Sequence, residues 1–148
     1  MVDFQIGRKK FKVVGLKGRG YFENHGVEVP ALAQQLLSRT HEIGNHLGIE
    51  IALYEPKRDV GHRQGHYIVG LIVRDFLKTV PAGMEFIDID QQYATARGKI
   101  STIGSIHTNL INWANVQGYT RNLESYIVET YHPMDDGEEE VQIYLPVY

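Results

Sequence analysis

The side chains that carry most solution chemistry are sparse here, and their spacing narrows the choices quickly. There are seven histidines and no cysteines. His62 and His66 stand four apart in Gly61-His62-Arg63-Gln64-Gly65-His66, and His41 and His46 stand five apart across Gly44. A zinc site needs three or four convergent N, S or O ligands. Neither pair falls on a single helix pattern and no third ligand follows at a matching spacing, so these read as solvated loop histidines, with no metal and no cofactor. A nucleophile is equally hard to find, for there is no Gly-x-Ser-x-Gly elbow. Gly98-Lys99-Ile100-Ser101 fails the phosphate-loop pattern because Lys99 is not followed by Ser or Thr. Gly15-x-x-Gly18-x-Gly20 has its glycines in the wrong order with no helix directly behind them; they read as residues that let the chain turn.

One carboxylate stands out. Glu124 precedes Tyr126 by two and Val128 by four in a segment read as a strand, so the three side chains share a face. A carboxylate between an aromatic and an aliphatic side chain lies either on an exposed sheet face or inside an apolar cavity. In the second case it costs several kcal/mol unless something pairs with it, and a cationic or donor ligand would offset that cost.

The elements that must position such a residue follow from periodicity and punctuation. Phe11 to Leu16 reads as a short strand. Pro30 suits a first helical position, and Leu32, Ala33, Leu36, Leu37 and Ile43 follow at helical spacing to a stop at Gly44. Ile49 to Tyr54 alternates as a strand, a polar loop runs from Lys57 to Gly65, and His66 to Val73 is a further strand. Met84 to Arg97 reads as one or two strands, interrupted near Asp90-Gln91. Ile103, Ile106, Leu110, Trp113 and Gln117 mark a second helix, with Thr102 as its cap and Gly118 at its stop. Leu123 to Tyr131 and Val141 to Val147 are the last strands.

The order repeats. The helix stops differ by 118 − 44 = 74 positions. The same shift carries Ile49 onto Leu123, Glu50 onto Glu124, Ala52 onto Tyr126, Val69 onto Ile143 and Val73 onto Val147. The expected fold is therefore α+β: two β-α-β-β repeats, about 11–73 and 86–147, within a single domain spanning 1–148. The repeats pack about a pseudo-twofold axis into an antiparallel sheet with two helices and a central cleft at the seam.

Composition bounds the partners. The chain has 148 residues, 43% of them hydrophobic and 22% charged, as in a folded globular domain. Apolar runs are far too short to span a bilayer, and the N-terminal stretch from Met1 lacks the order of a signal peptide, so a cytoplasmic, membrane-free protein is expected. Fifteen Lys and Arg stand against eighteen Asp and Glu, for a net charge of −3. The basic clusters Arg8-Lys9-Lys10 and Lys57-Arg58 with Arg63 read as solvated surface, so no nucleic-acid partner is expected.

Val13-Val14-Gly15-Leu16, Pro81-Ala82-Gly83-Met84, Tyr93-Ala94, Trp113, Gly118-Tyr119, Glu124-Ser125-Tyr126 and Ile143-Tyr144-Leu145-Pro146-Val147 occur in this order along nearly the whole chain. As an ordered set they resemble the GyrI-like, or AraC-type effector-binding, domain family. The resemblance implies two β-α-β-β halves around a hydrophobic pocket, in drug-sensing domains of regulators, free-standing gyrase protectors or, in one branch, hydrolases. It places the family's pocket glutamate on Glu124 and its last-strand tyrosine on Tyr144, with Tyr126 as a wall. Tyr67 and Phe22 either line the pocket from the first half or pack in core or rim; Trp113 sits on an apolar stripe, as a core anchor would. Glu50 receives no role and is expected to face solvent. Two departures, a first helix without a large aromatic and a highly charged 57–65 loop, bear on the shape of the pocket's first-half wall. Only about ten residues precede the first strand, so no helix-turn-helix is expected ahead of it. The first expectation is a stand-alone module binding an amphipathic or cationic small organic ligand steered by Glu124. The alternatives are a hydrolase with Glu124 as general base beside Tyr126 or Tyr144, and a gyrase-protector-like module that binds a protein partner.

Overall fold

In the computed structural model, which describes residues 3–148, the element order is β1 (Gln5–Tyr21), α1 (His25–Leu37), β2 (His46–Tyr54), β3 (Gln64–Val73), β4 (Glu85–Lys99), α2 (Ile103–Val116), β5 (Ile127–His132) and β6 (Glu140–Pro146). Met1 and Val2 of the N-terminal stretch lie outside the described residues. All pairings are antiparallel, and the strands close into a barrel in the order β1-β3-β2-β5-β6-β4. Exchanging the halves (β1 for β4, β2 for β5, β3 for β6) returns the same order reversed, so the pseudo-twofold expected from the repeat is present in the topology.

Closure rests on length. β1 pairs through Val13–Tyr21 with β3 and through Gln5–Gly15 with β4, so one strand serves two neighbours and leaves no open edge. Gly15 and Gly70 face one another across the β1–β3 pair, where a Cβ on either would overlap the opposite backbone. β4 runs unbroken through Asp90-Gln91, because Lys9 and Lys10 of β1 pair with those two residues.

Three apolar clusters follow from side-chain alternation. Phe11, Val13, Ile51, Leu53, Ile68, Tyr93, Val128 and Tyr144 come from all six strands and can meet only inside the barrel. Outside it, Val29 and Leu36 of α1 pack on Val14, Tyr67, Val69 and Leu71. Ile106, Leu110 and Ala114 of α2 pack on Ala94, Ala96, Val141 and Ile143. α1 thus covers β1 and β3, and α2 covers β4 and β6. The outer face of β2 and β5, at the pseudo-twofold seam, lies between the helices. Among the described residues no helix is long and apolar enough to cross a membrane.

Several boundaries differ from the expectations. β1 runs from Gln5 to Tyr21 rather than Phe11 to Leu16, so Gly15, Gly18 and Gly20 lie inside a strand rather than at a turn. α1 ends at Leu37, seven residues before Gly44. α1 begins at His25, five residues before Pro30, which sits inside the helix with no N–H to give the Gly26 carbonyl one turn earlier. β5 begins at Ile127 rather than Leu123. Asn122 Oδ1 accepts from the Glu124 backbone N–H at 3.0 Å and its Nδ2 donates to Ser125 Oγ at 3.2 Å, closing a local turn that competes with the ladder.

The strand pairings also break the uniform repeat register. Val69 pairs with Ala52, and Ile143 pairs with Glu129. If Val69 corresponds to Ile143, then Ala52 corresponds to Glu129 rather than Tyr126 (129 − 52 = 77). Leu16, which pairs with Val69, then corresponds to Ala96, which pairs with Ile143 (96 − 16 = 80). The 74-residue shift thus holds for β3 and β6 but not for β1 and β4 or β2 and β5.

Candidate functional site

A cavity of about 610 Å³ occupies the uncovered seam. Its floor is the outward face of β2 and β5: Glu50, Ala52 and Tyr54 alternate along one strand, and Ile127, Glu129 and Tyr131 along the other. Their odd-numbered and even-numbered neighbours Ile51, Leu53 and Val128 point into the barrel. α1 contributes His25, Val29, Pro30, Ala33 and Leu36 as one wall; Ile100 and, from α2, Ile103 and His107 form the other. Ile103 and His107 are one turn apart, so both reach the same opening.

The polar centre is Glu129, only 5% exposed. Tyr131 Oη donates to its Oε1 at 2.6 Å and Tyr54 Oη to the same oxygen at 3.1 Å; the two hydroxyls lie 3.4 Å apart. His107 Nε2 lies 2.6 Å from Oε2. A carboxylate with no compensation at this depth would be unstable; three donors from three elements provide it. Burial, reinforced by the Glu129 charge, raises the pKa of the Tyr54 hydroxyl well above the phenol range. Burial does the same to Tyr131, with Tyr54 and Glu129 adding to it, so both tyrosines remain neutral donors.

The rim is also acidic. Glu50 and Glu139 line the opening, and burial together with the neighbouring Glu139 charge raises the Glu50 carboxyl above its ordinary value. This corrects the expectation that Glu50 faces solvent: pairing with Tyr131 across the seam puts it in the cavity lining, at the rim end of the floor strands. On the α1 wall, among the described residues, His25 Nε2 is buried without a hydrogen-bond partner, its ring packed against Tyr67, Phe22 and Tyr54.

The residues singled out in the sequence lie elsewhere. Glu124 is 75% exposed in the turn before β5, with Arg58 Nη2 4.0 Å away. With Tyr126 it lines a separate pocket of about 180 Å³, beside Glu55, Arg58 and His66. Tyr144 is on the opposite face from the cavity, inside the barrel, edge-on to Phe11 at 5.0 Å and Tyr93 at 5.7 Å. Tyr67 is buried under α1, its hydroxyl donating to Glu28 at 3.1 Å. Phe22 packs on His25 and His62. Trp113 stacks on Phe4 at 5.4 Å, beside the α2 cluster. None of the six lines the large cavity. The i, i+2 motif that drew attention to Glu124 and Tyr126 recurs five residues later in Ile127-x-Glu129-x-Tyr131, the signal that could have found the site.

His62 of the loop before β3 and His66 of β3 do have partners. Glu55 Oε2 is 3.2 Å from His62 Nε2, and Glu55 Oε1 is 3.2 Å from His66 Nδ1 and accepts from the His66 backbone N–H at 2.9 Å. Burial disfavours the Glu55 charge, but the two hydrogen bonds from His66 and the nearby imidazoles outweigh it and hold the carboxyl below its usual range. Among the described residues no group of three or more His, Cys, Asp or Glu is arranged to hold a metal ion.

A six-stranded barrel with two helices bracketing an apolar cavity around one buried carboxylate is the architecture of a small-molecule binding domain. Residues 7–148 match the GyrI-like small molecule binding domain model, and the chain belongs to that family. Its fold is shared with SAV2435 bound to tetraphenylphosphonium (TM-score 0.73, 12% identity, 99% of this chain and 94% of that one). It is shared with EcmrR, both as the isolated C-terminal domain (TM-score 0.61, 17% identity, 98% of each chain) and in the EcmrR–DNA complex (TM-score 0.66, 16% identity). The present chain spans 57% of the EcmrR chain in that complex and is itself covered to 99%. A Listeria innocua hydrolase also matches, with TM-score 0.55 and 12% identity over 97% of this chain and 92% of that one. No curated protein matches the sequence.

Proposed function

We propose that the seam cavity binds a lipophilic organic cation, with Glu129 as its counter-charge. The observation that carries this is a nearly inaccessible carboxylate at the base of an otherwise mostly apolar chamber. Such a site attracts positive charge that can shed its water cheaply, and a delocalised cation with aromatic or aliphatic bulk does so. Tyr54, Tyr131 and His25 offer ring surfaces to the same ligand. The SAV2435 complex with tetraphenylphosphonium supports this ligand class. The excess of acidic over basic groups supports a role in which this domain itself makes no nucleic-acid contact.

The test is a matched pair of probes. Tetraphenylphosphonium and neutral triphenylphosphine oxide are titrated into the unmodified protein and into Glu129→Gln. The cation should lose roughly 1–3 kcal/mol, the Coulomb energy of unit charges at contact distances in a medium of intermediate dielectric, and the neutral probe much less. Equal losses would remove Glu129 from the site.

A hydrolytic role has one observation in its favour, the 2.6 Å His107–Glu129 pair, which has the reach of an acid–base dyad. Recovery of a hydrolysable cationic ester unchanged after prolonged incubation would count against it.

A further inference from the structure

Glu129 is already partnered by a group whose charge is variable. Both tyrosine hydroxyls stay neutral, so among the described residues the one group bonded to Glu129 that can carry a positive charge is His107. Nε2 donates to Glu129 Oε2 whether the imidazole is neutral or protonated; what differs is the proton on Nδ1. The two states therefore have the same hydrogen bonds and opposite consequences. With Nδ1 bare, the His107–Glu129 pair carries a full negative charge at the base of the cavity; with Nδ1 protonated, it is neutral.

Building on the proposed function, we infer that His107 sets the charge the cavity accepts. A cation binds the neutral-imidazole form and expels the Nδ1 proton; protonation converts the same chamber into one that prefers a neutral ligand. Linkage fixes the sign: what disfavours the protonated imidazole in the complex equally weakens cation binding as pH falls. Nothing in the fold must move for this to happen. α2 places His107 beside Glu129 with its side chain 28% exposed, so proton exchange with solvent is open.

The other titratable groups facing the chamber are few. His25 comes from α1, Glu50 and Tyr54 from β2, Glu129 and Tyr131 from β5, and Glu139 from the segment before β6; α2 itself supplies only His107. His25 touches aromatic rings and makes no bond to Glu129. Glu50 would also weaken cation binding when protonated, in the same direction as His107. A Glu50→Gln background removes that contribution.

The experiment follows tetraphenylphosphonium, whose charge is permanent, from pH 8 to pH 5.5 in Glu50→Gln protein. Its affinity should fall roughly 5- to 150-fold, the range of ordinary coupling between two sites, while triphenylphosphine oxide affinity stays flat. Adding His107→Gln keeps a donor near the Nε2 position but cannot titrate, and should flatten the cation profile. Adding His25→Gln instead should leave the slope intact. Calorimetry of the Glu50→Gln protein across the same pH interval, in two buffers of different ionisation heat, should show fractional proton release on cation binding. The inference is overturned by an undiminished slope in the His107→Gln protein, by a slope that vanishes with His25→Gln instead, or by no proton release anywhere in that interval. Absence of tetraphenylphosphonium binding at pH 8 would remove the proposed function as well; pH-independent binding would remove only this inference.

Discussion

The two strands on the cavity floor are pseudo-twofold mates, yet they do different work. With Ala52 matched to Glu129, Tyr54 matches Tyr131 and Glu50 matches Ile127. The tyrosines are common to both halves, and symmetry brings their hydroxyls within 3.4 Å of each other at the seam. The acids are not. β5 carries its carboxylate at the central position, where donors from both halves reach it. β2 carries its own at the rim, where the nearest charge is another carboxylate. A doubled scaffold thus supplies a shared pair of donors, and two differences between the halves, Glu129 against Ala52 and Glu50 against Ile127, turn a symmetric seam into a polarised pocket.

Removing the stronger donor is the most damaging way to probe this difference. Tyr131→Phe takes away the 2.6 Å bond to a buried charged acceptor and should lower unfolding free energy by about 1–3 kcal/mol in urea titrations. Tyr54→Phe removes the longer 3.1 Å bond to the same oxygen and should cost about 0.5–1.5 kcal/mol. A reversed order would mean that β5 does not hold the acid more tightly than β2.

Glu50→Gln probes the rim with a smaller effect of opposite sign. Because the folded pKa of Glu50 is raised, the folded protein holds its proton more firmly than the unfolded chain. Stability from this group is therefore present at low pH and lost as pH rises from the ordinary glutamate value through the folded one. At pH 7 the Gln variant should be more stable, by less than about 1 kcal/mol since Glu50 is partly solvated. A melting temperature that falls would contradict the like-charge reading of the rim.

Glu124→Gln should do least. An exposed turn residue away from the chamber should change stability by less than about 0.5 kcal/mol and leave tetraphenylphosphonium affinity unchanged. A cation-specific loss there would move the site to the smaller pocket.

The contrast between Glu124 and Glu129 shows where sequence reasoning runs out. Both satisfy the same local rule, a carboxylate two residues before a tyrosine on an alternating segment. Alternation says which side chains share a face, not where the strand begins. That boundary is set by Asn122, whose side chain ties the chain into a turn, and by the pairing of β5 with β2 and β6. Trp113, on its apolar stripe, packs beside the α2 cluster. Tyr144, which the resemblance implies as a pocket tyrosine, faces the interior of the closed barrel, away from the seam cavity.

What the sequence determined by itself is the β-α-β-β order, given twice, the α+β class, and the seam as the place for a cleft. These follow from periodicity and punctuation, which act over one or two turns of chain. Only the tertiary structure decided which acid is buried. Glu129 meets Tyr54 across 75 residues and His107 across 22. Such contacts depend on barrel closure and on the packing of α2 against it, neither of which is written in any local pattern.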